Sequence, residues 1–296
     1  VIAGTLRSWL FVPGDRPERF GKAAGSGADA VVCDLEDGVG SGNKDLARQA
    51  VADWLSEHHA YVRINAVNTR WHAEDLAAVV SAPGLLGVML PKTGGPAEVA
   101  EIASALPATV SVLPVVESAA GVQHAPAIAA APGVAALAFG SVDFGLDLGL
   151  DPGGGRAGGD DTAMLYARSR LVIASRAGGI APPLDGVTTD LDDPEAVAAD
   201  ADRARRLGFG GKLCIHPRQV AAVNAAFAPS EEELDWARRA VAAAEAARGG
   251  AVRLGGQMID RPLMAQAQRI LARAESREAE SQGAGSREAG SQEVRR

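Results

Sequence analysis

Eight short apolar runs, each followed by a helical segment, occupy about 225 residues of this 296-residue chain. They predict a (β/α)8 barrel, the TIM-barrel architecture, with a C-terminal helical extension. The runs are continuously apolar instead of alternating, as expected of parallel strands buried on both faces. Between them lie Ala-rich segments with helical spacing, such as GNKDLARQAVADWLSEH and AEVAEIASAL. The composition, 47% hydrophobic and 22% charged, supplies a large core and excludes a disordered or collagen-like chain. A doubly wound open sheet shares the same alternation and stands as the structural alternative.

The predicted strands, in order, are SWLFVP (8–13), ADAVVCDLED (28–37), YVRIN (61–65), LGVMLPK (86–92), VSVLPVVE (110–117), VAALAFGSVD (134–143), PPLDGV (182–187) and KLCIHP (212–217). Asp15 with Glu18 and Ser230 with Glu233 have capping-box spacing and predict helix starts. His216 has two readings, a general base or the N-terminal turn of the PRQVAAVNAAF helix. The eighth unit ends near residue 228, which predicts a barrel over 1–228. A further helix (about 231–248), an irregular GGAVRLGGQMID stretch and a last helix from about Pro262 make an extension over 229–275. A barrel does not need them, so they are expected to cover an active-site mouth or reach a neighbouring subunit. Residues 276–296 repeat SREAESQ as SREAGSQ with almost nothing to bury, which predicts a disordered tail.

The net charge of −8 argues against a broadly basic nucleic-acid face. No stretch approaches the ~20 apolar residues of a membrane span, and no signal pattern opens the chain. Cys33 and Cys214 sit in apolar runs without CxxC spacing, which predicts buried thiols and a cytoplasmic protein. GGGRAG (153–158) satisfies GxGxxG literally, but it ends no strand and reads as a loop.

Charged residues are rare inside the eight runs and gather at their C-terminal ends. Glu36 and Asp37 close the second, Arg63 sits on the third, Lys92 ends the fourth, Glu117 ends the fifth and Asp143 lies just past the sixth. Any one of them alone reads as a helix cap or a surface charge. Six on one rim of a barrel point to the mouth where active sites are built. Neighbouring strands lie ~4.8 Å apart, so carboxylates from adjacent ends, Glu117 and Asp143, can share one small cation. Oxygen donors without a His or Cys cluster favour Mg2+ over zinc. Arg63 offers a fixed fork of donors for a carboxylate or an oxyanion. Such a set suits a substrate with a carboxylate beside a carbonyl or hydroxyl, and a reaction passing through an enolate.

Several segments together carry a family likeness: LFVPGDRPERFGKAAGSGADAVVCDLEDGV (10–39), VRIN (62–65), VMLPK (88–92), LPVVESAAGV (113–122), AFGSVDFGLDLG (138–149), LYARSRLVIASRAGG (165–179), KLCIHPRQV (212–220) and GQMIDRP (256–262). In this order they resemble the citrate lyase β-subunit-like family of the HpcH/HpaI aldolases, which includes citramalyl-CoA and malyl-CoA lyases. The resemblance implies a Mg2+-dependent barrel, with Mn2+ as a substitute, commonly a homotrimer. It implies Glu117 and Asp143 as metal ligands, Arg63 as the substrate-binding arginine, and Glu36 and Asp37 as acids supporting the metal's water shell. Asp260, in GQMID, matches an acid/base carboxylate that the family's C-terminal segment delivers from a neighbouring subunit. Arg16, Lys22 and Lys92 are the implied contacts for the coenzyme A or acyl-carrier arm. Val142 departs from the pattern, since many relatives have an acid immediately before the aspartate.

The implied activity is cleavage of a 3-hydroxyacyl thioester to an acetyl thioester and a 2-oxo acid, on citramalyl-CoA, malyl-CoA or citryl-CoA. Citryl-acyl-carrier cleavage within a citrate lyase complex and condensation of acetyl-CoA with glyoxylate use the same groups. A non-catalytic acyl-CoA-binding protein is the alternative of another class. The presence of Glu117, Asp143, Arg63 and Asp260 together speaks against it.

Overall fold

Eight parallel strands close into a barrel in chain order: β1 (Ser8–Pro13), β2 (Ala30–Asp34), β3 (Ala60–Arg63), β4 (Leu85–Leu90), β5 (Ser111–Val116), β6 (Ala138–Phe139), β7 (Leu184–Asp185) and β8 (Gly211–Cys214). The computed structural model describes residues 6–150, 162–246 and 251–274. Trp9 of β1 pairs with Ala30 on one side and Leu213 on the other, so β1 has no free edge and the open sheet is excluded. The crossovers run through α1 (Phe20–Ala24), α2 (Lys44–Trp54), α3 (His72–Val79), α4 (Pro96–Ala105), α5 (Ala119–Ala129), α6 (Ser141–Asp147), α7 (Thr162–Ala177), α8 (Pro194–Leu207) and α9 (Pro217–Ala226).

The period of two along each strand divides the core into two layers. Trp9, Val32, Tyr61, Met89, Leu113, Val115 and Leu213 fill the barrel interior. Leu10, Val12, Cys33, Val62, Val88, Val112 and Val116 face the helices. The Trp9 and Tyr61 rings lie 4.5 Å apart, packing the barrel interior. Both cysteines are fully buried and free, as predicted.

The sixth and seventh strands are shorter than their apolar runs. The chain turns at Gly140 into α6, and Pro182 and Pro183 have no N–H to extend the β7 ladder. The Asp15–Glu18 capping box does not form. Residues Pro17–Arg19 make a single 3-10 turn with no side-chain cap, and Asp15 accepts from Asn43 Nδ2 at 2.8 Å. His216 is an N-cap: Nδ1 accepts from the Arg218 amide at 3.2 Å, and Gln219 Oε1 accepts from the His216 amide at 3.3 Å.

The chain divides between Phe227 and Ala228. The second unit holds α10 (Glu231–Ala246), the hairpin β9 (Val252–Leu254) and β10 (Gln257–Ile259), and helical residues 261–274. Its start is the predicted capping box: Ser230 N–H donates to Glu233 Oε2 at 2.9 Å and Glu233 N–H to Ser230 Oγ at 3.1 Å. Gly255 and Gly256, at φ +55° and +89°, make the tight hairpin turn that only glycine takes without strain. Ala237, Ala240, Ile259 and Ala267 form this unit's own core. The GGGRAG motif and the repeat tail lie outside the described residues. Among the described residues no helix is long and apolar enough to cross a membrane.

Candidate active site at the barrel mouth

Asp34 ends β2 on the inward parity of Ala30 and Val32, and the strand register places it opposite Arg63 of β3. The two form a bidentate pair, with Arg63 Nε donating to Oδ1 and Nη2 to Oδ2, both at 2.7 Å. Asp34 also accepts the amides of Glu36 and Gly38 at 2.9 Å each, which folds the DLEDG turn around its carboxylate. Arg63 lies 4.6 Å over the Phe11 ring. Burial opposes its charge, but Asp34, Glu36 and Glu117 outweigh that and raise its pKa. With two of its five N–H donors spent on Asp34, the guanidinium keeps capacity for an anionic substrate.

Glu117 continues β5 on the inward parity of Leu113 and Val115 and is buried. Its Oε1 accepts the Lys92 amide at 2.6 Å. Burial pushes its pKa up to about 7; the Lys92 amide works against the rise, and Asp143 and Glu36 add to it. Asp143 sits in the first turn of α6, where the helix N-terminus favours a carboxylate. Lys92 holds Glu36 Oε1 and lies 3.2 Å from Asp37 Oδ2. Glu36 is buried, and its Oε2 lies 3.0 Å from Arg63 Nη1. That contact is an ion pair off hydrogen-bonding alignment, so Oε2 is a buried oxygen without a hydrogen bond. Asp37 is exposed.

These groups fit one divalent cation with oxygen ligands. The carboxylates of Asp34, Glu36, Asp37, Glu117 and Asp143 outnumber the neighbouring cations Lys44, Arg63 and Lys92, and the charges of Asp143 and Glu36 add to the burial that raises the Glu117 pKa. Gly140 leaves space against Glu117, where a Cβ would stand 2.1 Å from Oε2. Among the described residues no three His, Cys, Asp or Glu side chains form a ready cage. Mg2+ commonly takes one or two carboxylates and completes its shell with water and substrate oxygens.

The barrel thus brings together six of the nine predicted site residues: Glu36, Asp37, Arg63, Lys92, Glu117 and Asp143. Arg16 and Lys22 are exposed on the segment after β1. Lys22 lines a cavity of about 340 Å3 with Phe11, Pro13, Arg19, Ile215 and His216. Asp260 belongs to the second unit, where its Oδ1 accepts the Leu263 amide at 3.2 Å and caps the last helix. Sequence reasoning passed over Asp34, whose signal was its inward parity with Val32 and Glu36. It also passed over Lys44, whose Nζ is buried and donates to Leu35 O, Glu36 O and Asn65 Oδ1 at 2.7, 2.8 and 2.8 Å. A lysine opening a helix carries no sequence mark of such burial.

Residues 7–217 match the family model described as HpcH/HpaI aldolase/citrate lyase. The chain is 41% identical over 284 residues to the citrate lyase subunit beta-like protein of Deinococcus radiodurans, covering 90% of this chain and 96% of the relative. It is 35% identical over 302 residues to the L-malyl-CoA/beta-methylmalyl-CoA lyase of Cereibacter sphaeroides, covering 91% and 94%. A solved structure of CitE from Mycobacterium tuberculosis, in complex with magnesium, acetoacetate and coenzyme A, superposes with a TM-score of 0.82 at 39% identity. That match covers 93% of this chain and 100% of that one.

Proposed function

The chain belongs to the HpcH/HpaI aldolase/citrate lyase family and is a lyase; from that premise we propose that its barrel mouth cleaves a 3-hydroxyacyl-CoA thioester to acetyl-CoA and a 2-oxo acid. The observation that carries the reading is the juxtaposition of Glu117 and Asp143 with the Asp34–Arg63 pair at one end of a closed barrel. The magnesium, acetoacetate and coenzyme A in the CitE complex support it.

In this reading Glu117 and Asp143 hold Mg2+, or Mn2+ in its place, with Glu36 and Asp37 as the acids around its water. The metal supplies a Lewis acid for the hydroxyl and carboxylate oxygens of the substrate. Arg63, held in orientation and favoured in its charged form by Asp34, binds the carboxylate end and faces the charge that develops on the oxo-acid side. The hydroxyl gives its proton to water at the mouth, the bond between the hydroxyl carbon and the thioester α-carbon breaks, and the electron pair moves onto the acetyl thioester. Asp260 returns a proton to the acetyl methyl carbon, or removes it in condensation. Supplied by the 229–275 extension of a neighbouring subunit, it makes the enzyme a homo-oligomer, a trimer in this reading. Lys22, with Arg19 and Arg16 close in sequence, supplies positive charge for the phosphates of the coenzyme arm. The two buried, unpaired cysteines support a cytoplasmic setting.

Citramalyl-CoA and malyl-CoA lead as substrates. The citrate lyase beta-like name of the relative from Deinococcus radiodurans favours citryl thioesters as the second reading, on coenzyme A or on an acyl carrier protein. Assay of 2-oxo acid release from citramalyl-CoA, malyl-CoA, citryl-CoA and a citryl-acyl carrier separates them. Activity should require Mg2+ and be lost with EDTA or in Glu117→Ala. Failure of every substrate in both directions overturns the lyase reading of this mouth. Asp260→Asn should lower turnover about 10²-fold or more with metal still bound, and near-normal turnover would remove Asp260 from the mechanism.

A further inference from the structure

Lys92 is the one non-glycine among the described residues with a left-handed backbone, φ +54°. A side-chain-bearing residue stays in that region only where its surroundings over-determine it, and such positions gather at functional sites. Here the turn is held from both sides. Pro91 precedes it, Thr93 Oγ1 donates to Leu90 O at 2.9 Å, and the Thr93 amide donates to Val115 O of the next strand at 3.2 Å. The Lys92 amide is thereby free to donate to Glu117 Oε1 at 2.6 Å. The ammonium of the same residue meets Glu36 Oε1 and, at 3.2 Å, Asp37 Oδ2. An ammonium already shared by two carboxylates has a net negative surrounding, which suits a coenzyme phosphate poorly.

We propose that Lys92 is a positioning residue: its strained backbone and its side chain together set where the Glu117 carboxylate stands relative to the Glu36–Asp37 pair. The inference rests on the reading of Glu117 as a metal carboxylate. It replaces the expectation that Lys92 contacts the coenzyme arm. The backbone handle survives any non-proline substitution, whereas the side-chain handle requires a cation.

The test separates the two handles. Lys92→Met keeps an unbranched stem and the amide but removes the charge, and Lys92→Arg keeps the charge. Lys92→Met should lower kcat by about 10-fold or more, leave the thioester KM within about 3-fold of wild type, and leave Mn2+ binding, read by electron paramagnetic resonance, within the same range. Lys92→Arg should restore most of kcat. Combining Lys92→Met with Glu36→Gln should cost little beyond either alone, in kcat and in thermal stability of the metal-free protein. A raised thioester KM with unchanged kcat would make Lys92 a coenzyme contact and overturn the proposal, as would full additivity with Glu36→Gln. If Lys92→Met does not fold, Lys92→Gly, which relaxes the left-handed backbone, carries the same measurements. A wild-type protein that neither binds Mn2+ nor cleaves any thioester refutes the metal reading instead, and the metal-free stability cycle still decides the Lys92–Glu36 link.

Discussion

Replacing Gly140 with alanine would set a methyl carbon 2.1 Å from Glu117 Oε2, 2.5 Å from its Cβ and 3.0 Å from its Cδ. The backbone there, φ −88° and ψ 76°, carries no positive-φ demand for glycine, so the space itself is the reason for it. A Cβ does not approach another heavy atom within 3.0 Å, so the carboxylate must retreat by roughly 1 Å or more. Mg2+ holds its ligands at about 2.0–2.1 Å with little tolerance, and a misplacement of that size costs about 10²-fold in rate. The crowding should also cost about 1–3 kcal/mol of barrel stability. The assay is kcat/KM over a Mg2+ series, with urea denaturation and far-ultraviolet circular dichroism on the same protein. The expected result is a folded barrel with weakened metal dependence and kcat/KM down about 10²-fold. A Gly140→Ala enzyme with normal metal affinity and kcat/KM would refute the placement of the working carboxylate against Gly140.

Arg63→Lys exchanges a two-point grip on Asp34 for a single ammonium; at about 1.5–3 kcal/mol per charged hydrogen bond, kcat/KM should fall by about 10²-fold, and activity within about 3-fold of wild type would argue against a bidentate role. Asp185 is wholly buried, accepts from Arg168 Nε at 2.9 Å, and lies beside the buried Lys212, whose pKa burial lowers despite Asp185. Asp185→Ala should destabilise the barrel by about 3–5 kcal/mol in urea, and a change under 1 kcal/mol would show that the site relaxes without it. Burial pushes the Cys33 and Cys214 thiols from 9.0 to about 12, so the folded protein should resist thiol-labelling reagents at pH 8 and label at both positions once unfolded. Since the folded state retains these protons while an unfolded thiol loses them near pH 9, stability should fall as pH rises from 9 towards 12.

Much of the barrel was legible because each strand is announced by a local apolar run and each helix by local spacing. The same locality explains the limits. The VAALAFGSVD run looks like one long strand, yet its strand is only Ala138–Phe139, with a lone bridge from Val134 to Val112, and the chain turns at Gly140 into a helix. Asp15 and Glu18 have the spacing of a capping box, but Asn43, distant in sequence, claims Asp15 instead. Glu117, Arg63 and Asp143 were visible as charges interrupting or ending apolar runs. Asp34 was not, because its partner is 29 residues away and only the β2–β3 register makes the pair. Lys92 was visible as a charge ending an apolar run, but its left-handed backbone and its carboxylate partners were not, because they leave no mark on neighbouring residues.

The sequence by itself determined the order of strands and helices, the parity that turns some charges inward, and the family likeness carried by DLEDGV, CIHPRQ and GQMID. These are properties of residues close along the chain, where propensity and period act. Closure of the barrel and the pairings Asp34–Arg63, Lys92–Glu36 and Arg168–Asp185 were decided only by tertiary structure. Each depends on the register between strands, or between a strand and a helix, that are far apart in sequence. That register follows from the packing of the whole interior, which no local segment contains.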